Sequence, residues 1–178
     1  MKQDDVDIWS LDEVHFQQYG SRCRMWVPPE VKEPILLHHP TRESVGFFGA
    51  VRLRDGKFVF QREEDMFDGD SFWSFLKFLQ RKSCHSGRRV VVLLDNAKYH
   101  HARIHKEWRM KSDVAFHCEY LPSYSPDLNP IERVWKLTRR LSVHNRYFPK
   151  LIDIVESAEK QFHLWIRESD DLRKLCII

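Results

Sequence analysis

The stretch Arg89-Val90-Val91-Val92-Leu93-Leu94-Asp95 constrains the fold more than any other part of the chain. Five apolar side chains in succession leave no polar face, and the run is too short for a buried helix. A strand covered on both faces accepts such a run, so the chain is expected to build a sheet with helices packed on it. The 178 residues suffice for one domain of that kind. A content of 42% hydrophobic and 13% aromatic residues supplies its core and excludes a disordered tail or linker.

The other elements fall on either side of this run. Val6, Ile8 and Ser10 alternate with Asp7, Trp9 and Leu11, and residues 6–16 read as a strand. Residues 20–40 hold Gly20, Pro28, Pro29, Pro34 and Pro40 and read as a long loop or arm. Residues 45–53 are strand-like, Asp55-Gly56 is a hairpin turn, and 57–62 form the returning strand. Asp68 and Asp70 supply helix-start chemistry, and Phe72, Phe75, Leu76 and Leu79 follow at helical spacing until Gly87 closes the segment. A basic helix over 101–111, a strand over 114–121, a turn-rich loop over 122–130 and a helix over 130–143 come next. Pro149 opens a last helix with Leu151, Val155, Ala158, Phe162 and Trp165 on one face. Three strands, helix, strand, helix, strand, helix, helix predicts an α/β fold with a mixed sheet of about five strands flanked by helices.

The net charge of +3 is less informative than its distribution. Residues 1–20 carry one Lys against five acids (−4), 129–150 carry six Lys/Arg against one acid (+5), and 151–178 carry four against six (−2). A local basic stripe suits a reader of phosphate backbones, and an ordinary solvated helix face gives the same pattern. Cys23, Cys84, Cys118 and Cys176 form no C-x-x-C pair and no zinc spacing, so free thiols in a reducing compartment are expected. The adjacent pairs His38-His39 and His100-His101 project in different directions and make no two-ligand metal motif. No apolar run approaches membrane-spanning length, and MKQDDVDIWS is acidic where a signal peptide is basic. A soluble, intracellular protein is expected.

Three acids stand out by position. Asp12 lies near the end of the first strand, Asp95 ends the apolar run, and Glu132 lies in the first turn of the helix after the proline-rich loop. Sites in open α/β sheets form at the carboxyl ends of strands. Asp12 is followed by Glu13, and because side chains alternate along a strand only one can face a given site; spacing leaves that choice open. Asp95 reads equally as the start of an Asx turn with Asn96. Asn129-Pro130-Ile131-Glu132 reads as N-cap to N3, a capping-box arrangement that gives Glu132 a local role. Three carboxylates from separate elements also suit two hard divalent ions about 3.5–4 Å apart, which stabilise attacking and leaving oxygens at phosphorus.

LLDNAKYHH at 93–101 and YLPSYSPDLNPIERVWKLTRR at 120–140 closely resemble the catalytic-domain signatures of DDE transposases. The nearest branch is the mariner superfamily, in particular its bacterial insertion-sequence members. LDEVHF at 11–16 is similar to the segment that carries that family's first Asp, and the similarity runs from about residue 6 to residue 143. The resemblance implies a ribonuclease-H-like fold. It implies that Asp12, rather than Glu13, joins Asp95 and Glu132 as a catalytic triad holding two Mg²⁺ or Mn²⁺ ions. The implied reaction is phosphodiester hydrolysis at transposon ends followed by strand transfer of the freed 3′-hydroxyl. The implied partner is double-stranded DNA, with a homodimer for the full-length protein in a cytoplasmic, nucleoid-associated setting. The 36 residues between Asp95 and Glu132 slightly exceed the family's usual gap, which places extra loop or helix length within 105–125. No segment reads as the N-terminal helix-turn-helix domain of the family. A lone catalytic domain is therefore expected, whether excised, split-frame or degenerate, with weak DNA binding of little sequence preference.

Supporting residues follow. Ile131, Val134, Trp135, Leu137 and Leu141 form the apolar face of the helix from 130, and Lys136, Arg139 and Arg140 point largely away, toward DNA phosphates or plain solvent. Lys98, His100 and Arg103 follow Asp95 closely enough to line its cleft and touch DNA. His100 and Asn96 match the family block; Asn96 is expected to orient the strand end and Asn129 to support the site, while the role of His100 stays open. The arm with Arg22, Arg24 and Trp26 corresponds to an insertion that clamps a partner subunit in mariner-like enzymes, which implies a dimer contact. Two competing readings are another ribonuclease-H-like nuclease and an inactive or domesticated DNA-binding or scaffold relic.

Overall fold

A computed structural model describes residues 5–177 apart from 20, 25, 33, 34, 36, 38, 85 and 86. Five strands, β1 (Val6–Gln17), β2 (Ser44–Arg52), β3 (Phe58–Glu63), β4 (Arg89–Leu94) and β5 (Phe116–Tyr120), form one sheet in the order β3-β2-β1-β4-β5. β1, β2 and β3 pair antiparallel as a meander, and β4 and β5 run parallel to β1. The helices are α1 (Gly69–Ser83), α2 (Lys106–Ser112), α3 (Ile131–Thr138), α4 (Leu151–Leu164) and α5 (Asp170–Leu175). The mixed five-stranded sheet matches the sequence expectation.

Strand alternation divides the core in two. Trp9, Leu11, Phe48, Ala50, Val90 and Val92 meet Phe72, Phe75, Leu76 and Leu79 of α1 on one face. Val14, Phe16, Phe47, Val51 and Phe58 meet Ile131, Val134, Trp135, Ile154, Val155 and Phe162 of α3 and α4 on the other. The complete burial expected of β4 is not met. Val90, Val92 and Leu94 are buried, whereas Val91 and Leu93 are half-buried, because α3 and α4 sit over β1, β2 and β3.

Local chemistry accounts for most boundaries. Asp68 caps α1 through Asp70 and Ser71, whose hydroxyl returns the bond to the Asp68 N–H. Gly56 takes φ +71 in the β2–β3 turn, and a Cβ there would lie 2.1 Å from the Ser169 carbonyl. The expected basic helix at 101–111 is broken. Two 3₁₀ turns, Lys98–His101 and Arg103–His105, precede α2, with the backbone at Ala102 extended between them. The expected helix over 130–143 changes to a π-helical turn at Arg139–Val143, which leaves Leu141 exposed and buries Thr138 and Ser142 instead. The short α5 was not expected; Ser169 caps it by accepting from the Leu172 N–H.

The arm over 20–40 has no helix or strand among its described residues, and Gly20, Pro34 and His38 lie outside them. Its root bonds to the segment between α3 and α4: the Asn145 side chain pairs with the Cys23 backbone, and the Asn145 N–H donates to the Ser21 carbonyl. Trp26 is fully exposed. No described helix is long and apolar enough to cross a membrane. The four cysteines are free.

Candidate active site

The β1–β4 ladder runs from Val6–Arg89 to Ser10–Leu93 and stops. β1 continues to Gln17 paired only with β2, while β4 ends at Leu94. The two strands part where Asp12 and Asp95 lie. A cleft of about 370 Å³ opens there, lined by Asp12, Asp95, Asn96, residues 121–126, Asn129 and Glu132. The structure thus brings the three acids singled out in the sequence to one cleft from three elements. Glu13 takes the opposite face of β1 and borders a different cavity, beside Tyr99.

Each acid is held by a distinct device. Trp135 donates its Nε1–H to Asp12 Oδ2 at 3.1 Å. The ring reaches that position because residue 49, opposite Asp12 on β2, is glycine: a Cβ there would lie 2.3 Å from Trp135 Cη2. Asp95 Oδ1 accepts from the Ala97 N–H at 3.0 Å and lies 2.9 Å from His100 Nδ1, which also meets the Asp95 backbone carbonyl at 3.1 Å. Glu132 sits in the first turn of α3, where the capping box expected from the sequence does not form. Asn129 is buried and turned to β1 instead, accepting from Ser10 Oγ and donating to the Leu11 carbonyl at 3.3 Å. Ser10 Oγ accepts the Ile131 N–H at 3.0 Å and so caps α3 from a remote strand. Glu132 is therefore free of any capping duty.

The electrostatics of the acids differ. Burial first, then the charges of Glu13 and Glu132, push the Asp12 carboxyl up to about 8, against the hydrogen bonds from the Glu13 N–H and Trp135. The His100 hydrogen bond holds Asp95 below the usual carboxylate range, against partial burial and with help from the Ala97 N–H. Burial raises Glu13, opposed by the Tyr99 hydroxyl and His100. Among the described residues no Lys, Arg or His lines the cleft. Among the described residues no three His, Cys, Asp or Glu side chains close on a single ion position. The donor set is nonetheless all carboxylate oxygen, and Asp12 is raised by acids that no cation offsets. That chemistry fits a hard divalent ion.

The expected supporting residues divide. Asn96 Nδ2 donates to the Leu121 carbonyl and its Oδ1 pairs with His101 Nε2 at 3.1 Å, so it ties the end of β4 to that of β5. Lys98 and Arg103 are exposed on the turns after Asp95 but stand outside the cleft lining. Lys136 and Arg140 are exposed, and Arg139 is partly covered, its guanidinium 5.8 Å from the centroid of Phe16. His100 cannot touch DNA as expected, because it is fully buried beneath Asp95. Three residues were missed. Trp135 was read only as core, three residues after Glu132. Ser10 carried no signal beyond its place on a strand. Tyr124, fully exposed at the cleft with φ +57, lies in the 120–140 signature, where no role of its own was assigned to it.

Comparison with known proteins gives the family and the fold. The model of the DDE superfamily endonucleases matches residues 7–155. An uncharacterized protein of Sinorhizobium fredii, y4pE/y4sA, is 32% identical over 74 residues, 42% of this chain and 51% of that protein. The Mos1 strand transfer complex superposes with a TM-score of 0.66 at 20% identity, covering 95% of this chain and 50% of that one. The Mos1 mariner paired-end complex with Mn gives 0.66 at 16%, covering 97% and 51%. The fold is therefore ribonuclease-H-like, and the chain spans about half the length of these relatives. With the family model covering most of its length, the chain belongs to the DDE superfamily of endonucleases.

Proposed function

We propose that this chain is the catalytic domain of a transposase that hydrolyses DNA at transposon ends and joins the freed 3′-hydroxyl to target DNA. The observation that carries this reading is the meeting of Asp12, Asp95 and Glu132, from β1, the end of β4 and α3, in one cleft. Those three side chains would hold two Mg²⁺ or Mn²⁺ ions. When bound, such ions activate the attacking oxygen and stabilise the leaving one in an in-line displacement at phosphorus. The Mos1 paired-end complex that this fold resembles was solved with Mn.

The chain's own residues orient the ligands and the substrate. Trp135 fixes Asp12, Ala97 and His100 fix Asp95, and Ser10 and Asn129 dock the first turn of α3 against β1. Exposed Lys98, Arg103, Lys136 and Arg140 would bind backbone phosphates around the cleft.

The test is strand transfer with a pre-cleaved DNA end, a supercoiled target and Mn²⁺, beside Glu132→Gln. Joined products from the wild type but not the variant support the reading. Equal products from both remove Glu132 from the site. No product from a folded wild-type chain that binds Mn²⁺ and DNA favours the relic.

A further inference from the structure

Beneath the cleft lies a buried contact between its two strands. His100 is fully buried, its ring 4.2 Å from that of Phe72 of α1 and 4.5 Å from that of Tyr99. Its Nδ1 is 2.9 Å from Asp95 Oδ1 and 3.1 Å from the Asp95 backbone carbonyl, so it engages both ends of that residue. Among the described residues its Nε2 has no hydrogen-bond partner and faces Glu13 Oε2 at 3.9 Å, an atom likewise buried without one. Glu13 is the neighbour of Asp12 on β1. The imidazole therefore spans the gap between β1 and β4 beyond their last paired residues, with one nitrogen toward each strand. Its backbone is clamped as well: the Tyr120 hydroxyl donates to the His100 carbonyl at 2.9 Å, Arg109 donates to that hydroxyl, and His105 Nε2 meets the Tyr99 carbonyl at 2.9 Å.

We infer that His100 is a positioning residue, a strut that with Glu13 sets the separation of Asp12 and Asp95 and so the geometry of the divalent-ion site. The inference rests on the proposed reading of those acids as metal ligands. Sheet ladders hold neighbouring strands in register, but none operates beyond Ser10 and Leu93. A fully buried imidazole has no phosphate to meet, and its two ring nitrogens are directed at two acidic residues, Nδ1 at the carboxylate and backbone carbonyl of Asp95 after β4 and Nε2 at the carboxylate of Glu13 on β1. A pure packing role needs neither nitrogen, since a phenyl ring fills the same space against Phe72. Groups that orient metal ligands from behind typically change metal affinity about 10–100-fold when removed.

The experiment measures Mn²⁺ affinity of the whole chain by titration, with the unfolding midpoint recorded for each variant. Wild type, Asp95→Asn, His100→Phe, His100→Asn and Glu13→Leu are compared. His100→Phe keeps the packing and loses both polar ends, so affinity should fall about 10–100-fold with little change in midpoint. His100→Asn returns an amide nitrogen near the place of Nδ1 and should recover most of the loss, a rescue that packing alone does not produce. Glu13→Leu leaves His100 and its contact with Phe72 in place and should weaken Mn²⁺ several-fold; it carries the test if His100→Phe does not fold. Wild-type affinity in His100→Phe or Glu13→Leu, with Asp95→Asn unable to bind, overturns the strut and leaves the metal site standing. A wild type that binds no Mn²⁺, or an Asp95→Asn that binds as tightly, overturns the metal reading and the strut with it.

Discussion

The three acids depend on neighbours that do no chemistry, and Asp12 shows this most directly. Its Oδ2 accepts from Trp135 only because Gly49 leaves room for the indole against β2. Gly49→Ala should destabilise the chain by about 1–3 kcal/mol, since the added methyl overlaps a packed ring. Trp135→Phe removes both the clashing atom and the Nε1–H donor and should cost about 1–2 kcal/mol from the lost hydrogen bond and the space left behind. The two changes should not add: with Phe at 135, Gly49→Ala should cost about 1 kcal/mol less than in the wild type. Urea unfolding of the two single variants and the double variant checks this, and full additivity would show that the glycine serves some purpose other than admitting the ring.

Ser10 matters beyond its own strand because it closes the start of α3. The Ile131 N–H and the Asn129 side chain both meet its hydroxyl, so Ser10→Ala should lose about 1–2 kcal/mol in urea unfolding. The β2–β3 hairpin gives a pH-dependent counterpart. Burial raises Asp55, but the Arg52 side chain, the Lys57 N–H and the charges of Arg52 and Arg54 outweigh it and leave the carboxyl below its ordinary value of 3.8. A depressed carboxylate contributes stability above its unfolded pKa and loses it as pH falls through the folded one. The stability gap between wild type and Asp55→Asn should therefore hold at neutral pH and close in acid below 3.8, as urea midpoints across pH will show. The elements themselves were mostly legible. Alternation in β1, the apolar run of β4 and the Asp55-Gly56 turn are local signals, and four of the five strands follow from them, with β5 read separately over 114–121. The convergence of the three acids was legible only through the motifs at 11–16, 93–101 and 120–140, because spacing cannot say that two strands part. The cap from Ser10 and the bridge by His100 were illegible for the same reason: each joins residues that only the finished sheet brings together. The π-helical turn after Thr138 escaped because Leu141 keeps helical spacing while the backbone does not.

At the scale of the whole molecule, charge and topology divide the labour. The acids gather where β1 and β4 part, and the cleft they line holds no basic side chain among the described residues. The cations lie outside it, with Lys136 and Arg140 exposed on α3 and the turn that follows. A cation inside the cleft would compete with a divalent ion for the carboxylates, whereas one at its rim attracts a phosphate backbone without touching the acids. Binding of that kind releases counterions, so affinity falls with salt by about 0.9 log units per log unit for each phosphate neutralised. Lys136→Gln and Arg140→Gln should each lower the magnitude of that slope by about 0.9, and the double variant by about 1.8, with little dependence on DNA sequence. Lys77→Gln serves as the control, because Lys77 is exposed on α1 and its ammonium lies over the Trp73 ring of the same helix, on the opposite face of the sheet. Fluorescence anisotropy on a short duplex, titrated at several salt concentrations, reads all of these slopes. Equal slopes for the wild type and the Lys136 and Arg140 variants would move the DNA track off α3, toward Lys98 and Arg103 on the turns after Asp95.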